Sequence, residues 1–572
     1  MIKRLPKRIL LPSACVLIVL LLVAVFTVLR DPAEEIGDCR TVDVAARMRP
    51  DYAGVTVPPN ICPLRFVVAE KGVKYCVRIA GEDGTPVEVF SRTPGIVVPA
   101  SGWRELLAAN VGRALTTTVF VKDADAGWRR YPDFTINVAE DPIDPYLVYR
   151  EMPTYNIIWK DMGLYERDLE GYAVRPVLQN RNFGFGCCNC HTFSDGTKHV
   201  AMNVRGGPGH LRGGLLIAQD GKIGRVVDTR TAFNPIPAVY LSWHPSGKAV
   251  VFSTNSINQS FHASGEERHS FDRLSDLGVY LVEKNLVSTD LKVAAATCLE
   301  DSPCFSHDGS VVYYVSAGVE NDEKEQRKIR ADARKAGKPI ERHKPYFKDE
   351  KYRERRYDLM RVSYDVEKNA WGEPELLLSC DPQRAATGKA RGRITIPEAL
   401  KSIQHSIAKP IPSPDGNWLL FCVCDFGNFP VYQETSDLYL LDLRTNEARS
   451  LGEGVNSPHA ESWHAWSSNS RWIVFSSKRP DGLVARPHFA HVDADGNVSK
   501  PFVLPQKDPA FYDGYIRTFN VPVLIPEPVP FSQRQALRAL HDGSRLFKAD
   551  LDPEAKQVDS STGATALEHA KH

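Results

Sequence analysis

A pattern that recurs five times between residues 191 and 477 limits the possible folds of this chain. Each copy has an apolar or aromatic residue, a Ser or a substitute, a tight turn and an apolar strand, and the copies span 191–204, 241–254, 303–316, 410–423 and 464–477. Their turn residues, spaced 51, 62, 107 and 54 positions apart, are Gly196, Gly247, Gly309, Gly416 and Ser470. Asp-Gly turns of this kind fold two antiparallel strands together, because Gly tolerates a positive φ. We therefore expect five hairpins of one type.

Second hairpins follow the fourth and the fifth copy, at 437–451 and 489–504. Two hairpins in about 50–60 residues make a four-stranded blade, and five or six blades close into a β-propeller. We predict this fold for residues 187–528. The long step contains the insertion 320–357, which has 14 Lys and Arg against 9 Asp and Glu. We interpret the insertion as a solvated excursion from a loop, with a docking surface for an acidic partner or anionic lipid as the alternative.

The repeats resemble those of the TolB-type periplasmic propellers, which have an SPDG turn. Ser413–Gly416 reproduces that turn in full, and the other four copies are degenerate. The resemblance covers about residues 190–525 and implies the fold more than a function. The segments 461–482 and 500–509 are similar to a subgroup of bacterial envelope propellers that have a haem motif.

The N-terminus predicts a membrane anchor. Lys3, Arg4, Lys7 and Arg8 precede the uncharged segment 9–29, which would span about 31 Å as a helix, enough to cross a bilayer. The basic flank predicts that the chain after Arg30 faces the opposite side, in the periplasm. A cleaved signal peptide is the alternative, although no small-x-small cleavage site follows. We expect residues 1–30 to form a single-pass anchor in the bacterial inner membrane and 31–54 to form a polar linker.

Three further regions complete the predicted organisation. Alternating apolar strands at 55–140 predict a small β-sandwich with one helix at 101–112, begun by Ser101 as N-cap; Cys62 and Cys76 could form a disulfide across it. The aromatic-rich segment 141–186 is interpreted as a packed connector with short helices. Residues 529–572 are interpreted as a C-terminal tail with a disordered end. The whole chain is therefore expected to be mainly β.

Cys187, Cys190 and His191 form a C-x-x-C-H motif, the attachment signature of c-type haem. Two thiols three residues apart can add to the two vinyl groups on one porphyrin edge, and the His that follows becomes the proximal iron ligand. We therefore predict one covalently bound haem c. The alternatives are structural disulfides and a zinc site made by Cys187, Cys188, Cys190 and His191.

The second axial ligand is open on sequence alone. His464 is two residues before the aromatic position of the last repeat, as His191 is in the first. Residues two apart on a strand share a face, so we expect both imidazoles to face the central channel, from blades that become neighbours on closure. Further candidates for this position are Met202, His199 and His210, and an open sixth position is the alternative.

The formal net charge of +1 disfavours a nucleic-acid partner, because such proteins need a basic excess or stripe. A haem c on a membrane-anchored propeller predicts an electron-transfer or redox-partner module, with a protein redox or envelope partner. A non-catalytic envelope scaffold and a haem enzyme acting on a small molecule at the channel are the alternatives. No catalytic residue is assigned.

Overall fold

The computed structural model describes residues 36–153, 161–184, 186–205, 214–231, 233–234, 236–258, 270–295, 298–318, 350–386, 390–397, 404–479 and 481–557. The predicted anchor, most of the charged insertion, His210 and the last 15 residues lie outside these ranges. Among the described residues, no helix has both the length and the apolar character that a bilayer crossing requires. The described chain divides into two compact units, one of residues 36–54, 63–138 and 505–514, and a larger one of 55–62, 139–504 and 515–557.

The described strands up to residue 138 are short and alternate with turns: β1 (Cys39–Thr41), β2 (Met48–Arg49), β3 (Thr56–Val57), β4 (Phe66–Val68), β5 (Lys74–Ala80), β6 (Val87–Ser91), β7 (Gly95–Ile96), β8 (Ala114–Asp123), β9 (Gly127–Arg130) and β10 (Phe134–Val138). In the smaller unit, β8 pairs antiparallel with β5, β9 and β10, while β2, β4 and β7 form a second sheet. Strands β1 and β2 therefore occupy part of the predicted linker.

The one predicted helix of this region is confirmed as α1 (Ala100–Ala109), which buries Trp103, Leu106 and Leu107. Its N-cap is Pro99 and not Ser101, which lies inside the helix. Cys62 and Cys76 are free thiols that belong to different units. The disulfide considered between them is therefore absent from the structure, and burial raises the pKa of the Cys62 thiol to about 11.

The larger unit consists of four- and five-stranded, mainly antiparallel sheets in chain order, which we call blades 1 to 6. Blade 1 begins with β11 (Tyr146–Pro153), β12 (Gly163–Asp168) and β13 (Val174–Gln179); blade 2 has β14 (Cys187–Ser194), β15 (His199–Arg205), β16 (Gly214–Gln219) and β17 (Lys222–Asp228); blade 3 has β18 (Val239–Trp243), β19 (Ala249–Asn258), β20 (Phe271–Leu281) and β21 (Leu286–Ser288).

The second half of the ring follows the same plan. Blade 4 has β22 (Cys298–Phe305), β23 (Val311–Gly318), β24 (Asp358–Asp365), β25 (Ala370–Trp371) and β26 (Glu375–Leu378); blade 5 has β27 (Arg393–Thr395), β28 (Ser406–Pro412), β29 (Trp418–Cys424), β30 (Asp437–Asp442) and β31 (Glu447–Ser450); blade 6 has β32 (Glu461–Trp466), β33 (Trp472–Ser477), β34 (Arg486–His491) and β35 (Phe502–Val503). Short helices lie at α2 (Pro382–Ala386) and, in the smaller unit, α3 (Phe511–Gly514).

The chain then closes the ring with β36 (Arg517–Ile525), which pairs antiparallel with β11 and so becomes the innermost strand of blade 1. The innermost strands contact one another in cyclic order, β36, β14, β18, β22, β28, β32 and again β36. This pairing makes the unit a six-bladed β-propeller and confirms the predicted fold. The five repeat turns are confirmed as well, since Gly196, Gly247, Gly309, Gly416 and Ser470 all have a positive φ.

Two sequence interpretations were wrong. The segment 141–186 supplies three strands of blade 1, and its one described helix is the single 3-10 turn Asn180–Asn182. The region after 529, described to residue 557, contains α4 (Gln533–His541), which begins with a capping box at Ser532, and β37 (Leu546–Lys548) and β38 (Asp550–Leu551), which pair in parallel with β17 and β21. These two strands are held by backbone pairing and have no apolar periodicity; the end predicted to be disordered lies outside the described residues.

Candidate functional site

Each of the six innermost strands has a β-bulge at the same level of the propeller. The strand register shifts at this level in β14, β18, β22, β28, β32 and in the pairing of β36 with β11. In five blades a residue of the bulge has a positive φ, namely Tyr240, Ser302, Lys409, Trp463 and Val521. In blade 2 the corresponding position is Cys190, four residues before the Ser of its turn. Because a bulge redirects side chains, the side chains at these positions point in a different direction from those at the regular strand positions around them.

The bulge residues of blades 3 to 6 contact each other across the centre of the ring. Lys409 Nζ donates a hydrogen bond to Ser302 Oγ at 2.7 Å and lies 3.7 Å from the centre of the Tyr240 ring. It also lies 5.0 Å from the Trp463 ring, which stacks on Tyr240 at 6.1 Å. Cation–π attraction between a desolvated ammonium and an aromatic face contributes about 2 kcal/mol. The centre of the propeller at this level is therefore packed by an ammonium group held between aromatic rings.

Two buried carboxyl groups lie beside this ammonium. Asp272 and Asp301 are both fully buried, and Asn428 Nδ2 donates to Asp272 Oδ2 at 2.5 Å and also to Asp301 Oδ2. Lys409 Nζ is 3.9 Å from Asp301 Oδ2. Burial, and second the charge of Asp301, raise the pKa of Asp272 above its ordinary range. The remaining bonds to Asp301 Oδ1 come from Ser253 Oγ, Asn255 Nδ2 and the Ser302 amide.

The C-x-x-C-H residues all lie on β14, the innermost strand of blade 2. Cys188 Sγ donates to Leu178 O and Asn180 Oδ1, at 3.4 and 3.1 Å, in the core between blades 1 and 2. His191 shares this face, since its ring lies 5.9 Å from that of Phe193, which packs on the same core. Side chains alternate along a strand, so Cys187 lies on the other face. Cys188, surplus to the motif, is thus a packing residue.

The bulge between Cys188 and His191 affects the two motif thiols. In a regular strand, residues three apart would point to opposite faces, whereas the extra residue allows Cys187 and Cys190 to lie on one side. The thiols are close enough for the charge of Cys190 to influence the pKa of Cys187, which burial raises to about 11. Burial raises the pKa of Cys190 too, against a hydrogen bond from the Tyr240 backbone. Both groups are therefore protonated thiols at neutral pH.

His191 has the protonation state and the free nitrogen that a metal ligand requires. Only 5% of the residue is exposed, and burial lowers its pKa to about 4. Its Nδ1 lies 3.4 Å from Asn189 O, which accepts a hydrogen bond from it. Nε2 is buried and makes no hydrogen bond of ordinary geometry among the described residues, although the Val521 backbone is close enough to raise the pKa of the ring. Metal-binding His residues commonly donate one ring N–H to a backbone carbonyl and ligate through the other nitrogen. Cys187, Cys190 and His191 are therefore the residue types that a c-type haem uses, with His191 on the face of β14 opposite the two thiols.

The structure supports neither the disulfides nor the zinc site that the sequence left open for these residues. All eleven described cysteines are free thiols. No group of three or more His, Cys, Asp or Glu side chains is arranged to hold a metal ion within the described ranges. The zinc site and the disulfides considered from sequence are therefore not formed in the part of the chain that the structure describes.

The expectation that both imidazoles face the channel is contradicted: His191 shares the core face of Cys188, and the expected placement of His464 was wrong as well. Its Nε2 donates to Leu420 O at 3.0 Å and its Nδ1 lies 3.7 Å from Cys422 Sγ, so the ring packs between blades 5 and 6 and does not face the channel. Burial lowers its pKa to about 4. The blades of His191 and His464 are also not neighbours, because blade 1 lies between blades 6 and 2. The physical reason for the position of His464 is the bulge, which turns the preceding residue, Trp463, toward the centre of the ring.

The other distal candidates are dispersed. Met202 is paired with His191 across β14 and β15 and is buried in the core between blades 1 and 2. His199 packs its ring 5.4 Å from Trp243, near the repeat turns. The structure thus brings Met202 to His191 as a neighbour in the same sheet, and it does not bring His199 or His464 there.

Sequence reasoning missed the central residues of the ring. Tyr240, Ser302, Lys409 and Trp463 occupy one position of the repeat, four residues before the Ser or its substitute, and alignment of the copies on that residue would have found them. Asp272 and Asn428 belong to no repeat position, and no sequence signal pointed to them.

No family model and no curated protein matches this chain. Similar solved structures include TolB from Acinetobacter baumannii, 10% identical over 72% of this chain and 80% of that chain, with a TM-score of 0.34. Others are a putative 6-phosphogluconolactonase from Bacteroides fragilis (11% identity, 66% and 99% coverage, TM-score 0.26) and dipeptidyl peptidase 4 from Porphyromonas gingivalis (10%, 80% and 60%, 0.26). Likenesses at these TM-scores support no conclusion, and the propeller assignment rests on the strand pairing of this chain.

Proposed function

We propose that this propeller protein binds one haem c, through thioether bonds from Cys187 and Cys190 and with His191 as the proximal iron ligand, and that it acts as an electron-transfer or redox-partner module. The observation that supports the proposal best is the buried His191 Nε2, which makes no hydrogen bond of ordinary geometry among the described residues and has only the Val521 backbone acting on its ring besides Asn189. A buried polar atom without a hydrogen bond is costly, and ligation of iron would satisfy it. The neighbouring free thiols supply the covalent attachment.

The haem, when bound, supplies one-electron chemistry, and the chain supplies its position and surroundings. Cys190 is held beside the Tyr240 backbone, at the level of the central ammonium and carboxyl groups. His191 is kept neutral by burial. The proposal includes the N-terminal anchor at 9–29, which would place the propeller in the periplasm at the inner membrane, and a protein redox or envelope partner.

The test is covalent haem retention by the full chain, produced in a host that matures c-type cytochromes. We expect haem to remain with the denatured polypeptide and its reduced spectrum to indicate two thioether bonds. Cys187→Ala and Cys190→Ala should each lose at least one bond. Cys188→Ala is the matched control, because Cys188 is adjacent but packs in the core, and it should keep both.

The result that contradicts the proposal is a chain that retains no covalent haem, or a Cys190→Ala variant that keeps two thioether bonds. A haem-free protein would favour the envelope scaffold. Where haem is retained, carbon monoxide added to the reduced native protein reports the sixth position: rapid, tight binding indicates an open site and favours the haem enzyme over simple electron transfer.

A further inference from the structure

Arg150 on β11 is a buried cation beside the C-x-x-C-H motif. The residue is 8% exposed, and its Nη1 donates a hydrogen bond to Oδ1 of Asn189, the residue between Cys188 and Cys190. Its Nε is buried with no hydrogen-bond partner among the described residues. The Nε–Nη2 edge of the guanidinium, which is the edge that accepts a carboxylate in a two-bond arrangement, therefore has no partner in the part of the chain that the structure describes.

The charge of Arg150 is also without a counter-charge in those residues. No described carboxylate lies within 4.0 Å of it, whereas three partly buried arginines are paired: Arg175 with Glu166, Arg479 with Glu461 and Arg517 with Glu151. The two other buried arginines of the described ranges, Arg167 and Arg355, donate to backbone carbonyls. A guanidinium cannot lose its proton at accessible pH, and burial of an unpaired charge is strongly unfavourable. Such a group is stable in this position when an anion from outside the chain completes it.

The groups that lie near Arg150 indicate where such an anion would bind. Its positive charge acts on Cys187, Cys188, Cys190 and His191, the four ionisable groups of the motif region. It acts on Tyr240 at the centre of the ring as well. The buried carboxyl groups Asp272 and Asp301 act on Tyr240 too, and Asp301 is already bonded to Asn428, Ser253 and Asn255.

We propose that Arg150 is the carboxylate-binding residue of this site and that, on the proposed function, its ligand is a haem propionate. The guanidinium edge matches a carboxylate in geometry and charge, and haem has two such groups. A free carboxylate ligand would offer the same chemistry, so the experiment separates the two sources. The inference about haem rests on the proposed function, whereas the carboxylate site is testable in a chain that has no haem.

The first arm uses the haem-loaded full chain and measures the midpoint potential. Removal of a buried positive charge beside the haem stabilises the ferric form, so Arg150→Gln should lower the potential. Arg150→Lys, which keeps the positive charge, should have a midpoint potential close to that of the wild-type chain. It also keeps the test informative if Arg150→Gln does not fold. Arg205→Gln is the control, because Arg205 is exposed and acts on Cys187 alone within the motif; it should leave the potential unchanged. Equal potentials for Arg150→Gln and Arg205→Gln would overturn the haem assignment.

The second arm uses the haem-free full chain, with sodium propionate as the probe and sodium chloride at equal ionic strength as the control. A ligand that binds the folded state raises the melting temperature, so propionate should raise it in the wild-type chain and not in Arg150→Gln. A rise confined to the haem-free chain identifies the haem propionate as the natural occupant. An equal rise in the haem-loaded chain identifies a free carboxylate ligand. If propionate does not raise the melting temperature and Arg150→Gln leaves the midpoint potential unchanged, the carboxylate site is refuted. If the chain retains no haem but propionate does raise the melting temperature, only the proposed function is refuted.

Discussion

Asp437, the first residue of β30, lies near a second carboxyl group. Burial, and second the charge of Glu461, raise the pKa of Asp437 to about 7, while Glu461 itself is fully buried and paired with Arg479 at 2.9 Å. An unfolded Asp loses its proton near pH 4. Between these values the folded state binds more protons than the unfolded state, so the free energy of unfolding falls as the pH rises.

Asp437→Asn removes this titration. We expect the free energy of unfolding of the wild-type chain to fall by about 2 kcal/mol more between pH 5 and pH 7 than that of the variant. Urea unfolding followed by circular dichroism at the two pH values measures the difference. Asp495→Asn, at an exposed turn, should keep the wild-type slope, and an unchanged slope in Asp437→Asn would contradict the explanation.

At the same scale, the sequence predicted the attachment motif and not its surroundings. Cys187, Cys190 and His191 are contiguous, so their chemistry can be read from spacing alone. Arg150, Asp272 and Asp301 come from strands that are distant in the chain. No local sequence spacing predicts that these residues come together, and the burial of their charged groups follows only from the folded structure.

At the scale of strands, the bulge decides which side chain enters the channel. The repeat pattern predicted the hairpins and their turns correctly, because Gly and Asp report their backbone conformation locally. The prediction of which side chains face the channel assumed regular alternation in the innermost strands. One extra residue in each strand shifts the channel-facing position by one residue. His464 was therefore expected at the place that Trp463 occupies.

Lys409 is the bulge residue whose removal tests this arrangement. Lys409→Met leaves Asp301 buried without its ammonium, and loss of one partner of a buried pair costs about 3–5 kcal/mol. Asp301→Asn in the same chain should recover part of that cost, since the unpaired charge is gone. Thermal and urea unfolding of the two single variants and the double variant measure the coupling.

Lys222→Met is the matched control, because Lys222 is exposed on β17 of blade 2. It should change stability by less than about 0.5 kcal/mol. Strict additivity of Lys409→Met and Asp301→Asn would show that the 3.9 Å approach of the two groups contributes nothing to stability.

At the scale of the whole molecule, the sequence predicted a ring of five or six blades but placed its start too late. Blade 1 has no copy of the repeat turn, and its innermost strand is separated from the other three by the entire remaining ring. Tyr146 pairs with Ile525 and Pro153 with Arg517. Pairing between the two ends of a domain has no local signature, so aromatic strands at 146–179 were interpreted as a connector.

The closing strand predicts how the propeller responds to truncation. A chain that ends at Asp542 keeps β36 and α4 and loses β37 and β38, which only add outer strands to blades 2 and 3. It should unfold cooperatively, with a melting temperature lowered by a few degrees. A chain that ends at Ile516 lacks β36, whose Phe519, Leu524 and Ile525 are buried, and leaves the edge of β11 unpaired. We expect this chain to lose cooperative thermal unfolding by circular dichroism. Equal melting temperatures for the two truncated chains would show that ring closure does not depend on β36.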